Sequence, residues 1–178
     1  MTTRSPQTFE VTPPSSTAAL LLVLLVGVLP LTIIGVLAMR QHALTHVLPA
    51  LVILPIMLVL MMRWMKRRSV TLTSATLEVR AAMYKKCVAV AELDLEKARI
   101  VNLHERTELR PWLKTNGMST PGFDAGHFRL REHFGKAFCL LTDRTRVLWL
   151  PLRDGKSQLL LSLERPQALL DALRASQP

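Results

Sequence analysis

Two long apolar stretches dominate the hydrophobic pattern of the first third of the chain. Residues 18–39 contain no charged side chain, and a second stretch runs over residues 43–64 and ends at Trp64. A hydrocarbon core of about 30 Å needs about 20 helical residues, so each stretch is long enough to cross a bilayer. The connecting residues, 40–46, are too few for a domain. The pattern therefore predicts two antiparallel transmembrane helices joined by a short external loop.

The charges beside these stretches predict an orientation. Residues 18–62 contain one charge, Arg40, whereas four bases follow at once: Arg63, Lys66, Arg67 and Arg68. Basic residues favour the cytoplasmic side, so this cluster and everything after it are expected in the cytoplasm. Residues 1–17, rich in Pro, Ser and Thr, then lie on the same side and are expected to be a disordered tail. The chain is predicted to be multi-pass with both termini cytoplasmic.

Two other interpretations of the apolar stretches remain open. Residues 36–38 include small side chains placed as in the cleavage site of a signal peptide. However, the apolar run is longer than the usual 7–15 residues of a signal-peptide core, and Arg4 lies far from it. Alternatively, the two stretches are buried helices of a soluble protein. This interpretation is less favoured, because two adjacent charge-free runs of this length are unusual in such proteins. A membrane hairpin with the lipid bilayer as partner is preferred.

From residue 69 the pattern changes to short β-type runs. Residues 70–74 and 76–80 alternate apolar and polar side chains, as half-buried strands do. Further strand-like runs occupy residues 87–93, 100–103, 126–131, 137–142, 146–150 and 157–162. Residues 110–126 are rich in Gly, Pro, Thr and Asn and predict a long loop or an irregular edge. Asp154-Gly155 predicts a hairpin with a type I′ turn.

A helix is predicted at the end of the chain. Pro166 suits a first helical position, and Leu169, Leu170 and Leu173 form one apolar face. About seven strands followed by one amphipathic helix predict a mainly-β barrel or sandwich that the helix closes.

Several stretches of this second part resemble bacterial pleckstrin-homology (PH-like) domains, which occur on small bacterial membrane proteins. Residues 91–100 are similar to the crossover between their third and fourth strands, and residues 117–130 to their Pro-Gly-aromatic…Gly-x-Phe segment. Residues 141–144 with 147–150 resemble their Leu-Thr-Asp strand end, and residues 161–173 their closing helix. The resemblance covers residues 69–176 and implies a PH-like domain at a bacterial inner membrane. Arg165 departs from the capping Asp or Ser expected before such a helix.

No catalytic arrangement emerges from the sequence. His104, His127 and His133 lack the spacing of a metal site, and neither a nucleophile elbow nor a glycine-rich phosphate loop occurs. The polar run at Thr142 to Arg144 is explained by a turn in which Asp143 bonds local backbone. The chain is predicted to be no enzyme and to need no cofactor or metal. A hydrolase or metal enzyme that uses the histidines is the least favoured alternative.

The two cysteines have neither metal-site nor disulfide spacing. Cys87 and Cys139 each lie in an apolar, strand-like run and are expected to be reduced and buried.

Basic residues outnumber acidic ones in the second part. Residues 69–178 carry 17 bases and 12 acids, which favours an anionic partner. Arg129 and Arg131 share a strand face by parity, and with Arg144 and Arg146 they form the predicted anionic-ligand face. The bases at 63–68 would each add about 1 kcal/mol of attraction to an anionic leaflet, although setting the topology suffices to explain them. Scarce aromatic residues and the membrane tether argue against nucleic acid.

The preferred function is therefore a non-enzymatic binding module. It is expected to bind a protein partner, or itself, through a strand edge or the groove between its sheets. This step rests on analogy with the fold. The alternative is a sensor of anionic lipid headgroups or ligands that uses the basic face.

Overall fold

The computed structural model describes residues 6–41, 47–131 and 134–176, without the side chains of residues 40, 41, 47 and 48. One continuous helix comprises α1 (Ser16–Leu22), a π-helical segment (Val23–Val28) and α2 (Leu29–Gln41). Ser15 caps its start, because its Oγ accepts a hydrogen bond from the Ala18 N–H at 3.2 Å. The second long helix is α3 (Val47–Lys66).

Two helical spans, Ser16–Met39 and Pro49–Lys66, are long and apolar enough to cross a membrane. They lie side by side: a Cβ atom on Gly27 would sit 3.5 Å from Leu58 Cδ2. The structure is thus helical over the first predicted span, residues 18–39, and over the described part of the second, residues 43–64. The predicted loop falls largely outside the described residues.

A four-stranded antiparallel sheet follows the strand order β1-β2-β3-β4. Its strands are β1 (Gln7–Phe9), β2 (Arg68–Leu72), β3 (Thr76–Ala81) and β4 (Tyr84–Ala89). Because β1 precedes the helices and β2 follows them, the helical hairpin is an insertion between two paired strands, with Phe9 opposite Val70. The disorder expected for residues 1–17 is not found in residues 6–15: Val11 is buried and forms a β-bridge to Leu163. Apolar Phe9 and Val11 pack against the core and so order this segment.

A six-stranded sheet follows the order β5-β9-β10-β8-β7-β6. Its strands are β5 (Arg99–Val101), β6 (Pro111–Thr120), β7 (Phe123–Leu130), β8 (Lys136–Leu141), β9 (Val147–Pro151) and β10 (Ser157–Ser162). β10 lies between β8 and β9 and runs parallel to β8, whereas all other pairs are antiparallel. The simple meander expected after residue 126 is therefore not formed.

The side chain of Ser162 fixes the segment that connects β8 to β9 and crosses the end of β10. Its hydroxyl is buried, accepts hydrogen bonds from the N–H groups of Thr142 and Asp143 at 3.2 and 3.3 Å, and donates to the Asp143 carbonyl at 2.6 Å. The Asp143 carboxylate accepts from the N–H and hydroxyl of Thr145 at 3.0 and 2.6 Å. The local turn predicted at Asp143 is thus confirmed.

Both faces of the six-stranded sheet are covered over its central strands. One face packs against the four-stranded sheet and helix α4 (Pro166–Ala175), and this core also includes Leu22 and Met65 of the long helices. The other face is covered by the segment after β5, which places Leu103 and Leu109 over the sheet. The predicted mainly-β domain with a closing C-terminal helix is confirmed.

Two local expectations need correction. Residues 111–120 form a ten-residue edge strand, with irregular pairing to β7 between Pro111 and Leu113 and between Lys114 and Asn116. The expected irregular edge is present, and the long loop is not. At Asp154-Gly155 only Gly155 has a positive φ, +66°, so the hairpin forms without a type I′ turn. Instead, Asp154 Oδ1 accepts the N–H groups of Lys156 and Ser157 at 2.8 Å each.

We expect Ser162→Ala to destabilise the protein by about 1–3 kcal/mol, because it leaves buried backbone groups without their partner. Ser74→Ala, on an exposed turn, is the matched control and should change stability little. Denaturant unfolding of the full chain in detergent, followed by tryptophan fluorescence, measures both. Equal stability of the two variants would contradict the anchoring role of Ser162.

Candidate functional site

Arg129 and Arg131 lie at the same end of the hairpin formed by β6 and β7. Arg129 Nη1 donates a hydrogen bond to the Phe134 carbonyl at 2.9 Å. The guanidinium of Arg131 lies over the exposed ring of Trp112, 5.8 Å from its centroid. This distance suits a cation–π contact. The structure thus brings together the first two members of the predicted anionic-ligand face.

Arg144 lies elsewhere and already has a counter-ion. Its Nη2 donates to Asp124 Oδ2 at 2.9 Å, and the Asp124 side chain is only 5% exposed. Asp124 precedes Arg129 by five residues on β7, an odd number, so the two side chains point to opposite faces of the sheet. Arg144 therefore holds a buried carboxylate and does not join Arg129. Arg146 is exposed and forms no ion pair with any residue that the structure describes.

Other residues surround Arg129 instead. Lys136 of β8 and Leu113 of β6 are its cross-strand neighbours. The Lys156 carbonyl accepts the N–H of Lys136 at 3.0 Å, which brings a third basic residue to the same place. A groove of about 490 Å³ opens here. Its lining consists of Glu108, Leu109, Arg129, Leu130, Phe134, Gly135, Lys136, Gly155, Lys156 and Gln158.

We call the residues Leu113, Arg129, Phe134, Lys136 and Lys156 the β6–β8 surface. Leu113 and Phe134 are 52% and 60% exposed, although both are large apolar side chains. Phe134 also has a left-handed φ of +48°, which is uncommon for a bulky residue and is often found at functional sites. Exposed apolar groups beside three bases suit a partner that has both apolar and acidic groups.

Sequence reasoning found Arg129 but missed Lys136 and Lys156. These two lysines meet because β10 pairs in parallel with β8, so that Lys136 lies opposite Ser157, the residue after Lys156. This pairing joins segments that are far apart in the chain. The sequence therefore showed the excess of positive charge but not that these two lysines meet.

The basic cluster after the second helix lies where the sequence predicts it. Arg63 and Lys66 occupy the last turn of α3, and β2 begins at Arg68. Arg63, Lys66 and Arg67 are exposed, whereas Arg68 is half-buried. The cluster therefore leads directly into the β domain without a linker.

The two described histidines lie on opposite faces of the six-stranded sheet. His104 is exposed on the segment that covers one face of the six-stranded sheet. His127 packs edge-on against Phe138, with ring centroids 5.0 Å apart, on the opposite face. Burial and the nearby Lys86 lower the pKa of His127. His133 lies outside the described residues, and those described contain no group of three metal-binding side chains.

The cysteines differ from each other. Cys139 is buried as expected, and burial raises the pKa of its thiol well above the ordinary value. Cys87 is exposed, contrary to expectation, because it occupies one of the alternating positions of β4 that face away from the core.

No relative guides the assignment of these residues. Comparisons with models of protein families, with curated protein sequences and with solved structures found no match. The charge, exposure and hydrogen bonds of the β6–β8 surface make it the candidate functional site.

We expect Arg144→Met to destabilise the protein by about 1–2 kcal/mol, because it leaves the buried Asp124 carboxylate without its cation; the half-exposed position of Arg144 limits the effect. Arg146→Met removes an equally charged but unpaired neighbour and should have little effect. Unfolding of both variants in detergent measures the difference. A loss of stability as large in Arg146→Met would contradict the structural role of the Arg144–Asp124 pair.

Proposed function

We propose that this protein is a non-enzymatic, membrane-anchored binding module whose β domain, at the cytoplasmic face of a bacterial inner membrane, binds an acidic protein partner. The observation that carries the proposal is the β6–β8 surface, where exposed Leu113 and Phe134 lie beside Arg129, Lys136 and Lys156. The resemblance of residues 69–176 to PH-like domains, whose fold commonly serves binding, adds support by analogy.

The exposure of the helices supports their placement in a bilayer. Only 11% and 6% of the most apolar windows of the two spans are buried within the protein, whereas a core helix of a soluble protein is mostly buried. Outward-facing residues such as Leu20 and Val59 are 63% and 61% exposed. Such a continuous apolar surface needs a lipid or protein environment. The bases at residues 63–68 favour the cytoplasmic side for the β domain.

The position of the β6–β8 surface favours a protein over the bilayer as its partner. The turn between β6 and β7 contacts the first helix, since a Cβ atom on Gly122 would lie 2.7 Å from Ala18 Cβ. Arg129 lies seven residues beyond Gly122 along β7, about 23 Å away at the rise of a strand. Lipid headgroups near the helices would be separated from it by more than a Debye length of about 8 Å.

The edge strand suggests how a partner binds. Within the described chain no strand pairs with the outer edge of β6, so its backbone is free to add an extended segment. Lys114 on this edge and the irregular pairing of β6 discourage indiscriminate strand addition. Selectivity then falls to the neighbouring side chains, namely the exposed apolar groups and the three bases.

The alternative function is the binding of a small anionic ligand or an anionic headgroup. It is favoured by one observation: the groove of about 490 Å³ is lined by Arg129, Lys136 and Lys156 but by a single acid, Glu108. Glu108 is already paired with Arg106 at 3.4 Å.

Photo-crosslinking in cells tests the binding partner. A benzophenone amino acid at position 113 or 134 should yield protein adducts. The same group at Met83, which is 60% exposed in the turn between β3 and β4, should not yield these protein adducts. Arg129→Glu and Lys136→Glu should abolish the adducts, and Arg146→Glu should leave them. An adduct of twice the chain mass identifies a second copy as the partner. Equal adducts at all three positions, or adducts to lipid alone, would overturn the proposal.

The exposed Cys87 provides a test of the orientation. A membrane-impermeant maleimide should not label Cys87 in intact spheroplasts and should label it after the inner membrane is permeabilised. Cys87→Ser should remain unlabelled in both conditions, because Cys139 is buried. Labelling of intact spheroplasts would place the β domain on the external side.

A further inference from the structure

A small apolar groove lies where the two long helices meet the β domain. It holds about 180 Å³. Ala19 and Leu22 line it from the first helix, and Met62 and Met65 line it from the end of α3. Lys66 and Arg68 border it. The groove is therefore apolar on its walls and cationic at its rim.

The groove lies at the boundary between the apolar and the charged parts of the helical hairpin. The start of the first helix and the end of α3 lie at the same level, because Leu22 and Met65 share one core with the β domain. Residues 23–39 and 49–61, on the side away from the β domain, contain no charged side chain, and the basic cluster begins at Arg63, close to this level. In the proposed membrane placement, this boundary coincides with the headgroup level of one leaflet.

Arg68 has no counter-ion among the residues that the structure describes. Its guanidinium is half-buried and makes one long hydrogen bond, from Nη1 to the Met65 carbonyl at 3.5 Å. Burial lowers its pKa, because the charge loses water that no ion pair replaces. Other bases of the domain, such as Arg80, Lys97 and Arg144, each have a carboxylate within 4.0 Å.

The acids near Arg68 do not fill this role. Glu10 and Glu164 line a second groove of about 420 Å³, which Lys66 and Arg68 also line. Among the described residues no carboxylate forms an ion pair with Arg68 or Lys66. Lys66 and Arg68 thus border both grooves, and the apolar groove has no acid in its lining. The fork of N–H donors on an arginine matches phosphate oxygens well.

We propose that this groove binds one anionic phospholipid of the surrounding leaflet. Its acyl chain lies along Ala19, Leu22 and Met62, and its phosphate accepts hydrogen bonds from Arg68 and Lys66. This site is distinct from the β6–β8 surface and rests on the proposed membrane placement of the helices, but not on the protein partner. A bound lipid fills the apolar space and supplies the anion that Arg68 lacks.

Native mass spectrometry of the full chain in non-ionic detergent tests the site. Phosphatidylglycerol is titrated against phosphatidylcholine with the same acyl chains, and the bound fraction is measured. We expect the wild type to prefer phosphatidylglycerol, and Arg68→Gln to weaken its binding about ten-fold, the effect of one charge-assisted contact. Arg67→Gln is the matched control, since Arg67 is exposed and does not line the groove.

A second pair of variants tests the acyl-chain pocket. Ala19→Trp should fill the groove and exclude the lipid, whereas Leu20→Trp, on the exposed side of the same helix, should not. Arg68→Lys should retain part of the binding.

Equal binding of the two lipids by the wild type, or equal losses in Arg67→Gln and Arg68→Gln, would overturn the specific site. If Arg68→Gln fails to fold, the lipid preference of the wild type and the Ala19→Trp pair decide the question. Recovery of the full chain in the soluble fraction without detergent would show separately that the membrane placement itself fails. Failure of the partner proposal would leave lipid binding unchanged.

Discussion

The pairing of β1 with β2 is the constraint on which the rest of this structure depends. These strands lie on either side of the whole helical hairpin in the chain, yet they are hydrogen-bonded neighbours, with Gln7 opposite Leu72 and Phe9 opposite Val70. The hairpin is thus an insertion whose base is closed by backbone hydrogen bonds. Leu22 and Met65 extend the core of the β domain into this base. Helices and domain therefore meet through packed side chains rather than through a linker, and the contact of Gly122 with Ala18 adds a further point of support.

Two groups of basic residues have different surroundings with respect to this base. Lys66 and Arg68 lie at the helix ends, where apolar walls accompany them. Arg129, Lys136 and Lys156 lie at the far end of the β6–β7 hairpin, where exposed Leu113 and Phe134 accompany them. Arg144 belongs to neither group, because it holds the buried carboxylate of Asp124. The basic residues of the chain thus differ in their neighbours: one group belongs to the proposed lipid site, another to the proposed partner surface, and Arg144 to an ion pair within the domain.

Burial periodicity explains which elements could be predicted. β2, β3 and α4 each bury one regular face, so alternation or helical spacing of apolar residues revealed them. β6 is an edge strand whose side chains are mostly exposed, and its composition resembled that of a loop. β1 has only three residues, too few for a pattern. Cys87 lies in an apolar run, but that run contains an outward-facing position of β4, and composition alone did not separate the two faces.

The sequence by itself determined the lengths of the apolar spans, the basic cluster that follows them, the mainly-β character of the second part and its closing helix. Each of these follows from neighbouring residues, since local spacing and charge decide which side chains face water. Tertiary structure alone decided that β1 closes the base of the hairpin, that β10 lies between β8 and β9, and that Lys136 and Lys156 join Arg129. These outcomes depend on backbone pairing between segments that are distant in the chain. A periodic pattern of apolar residues shows that a strand buries one face, but it does not show which strand pairs with it.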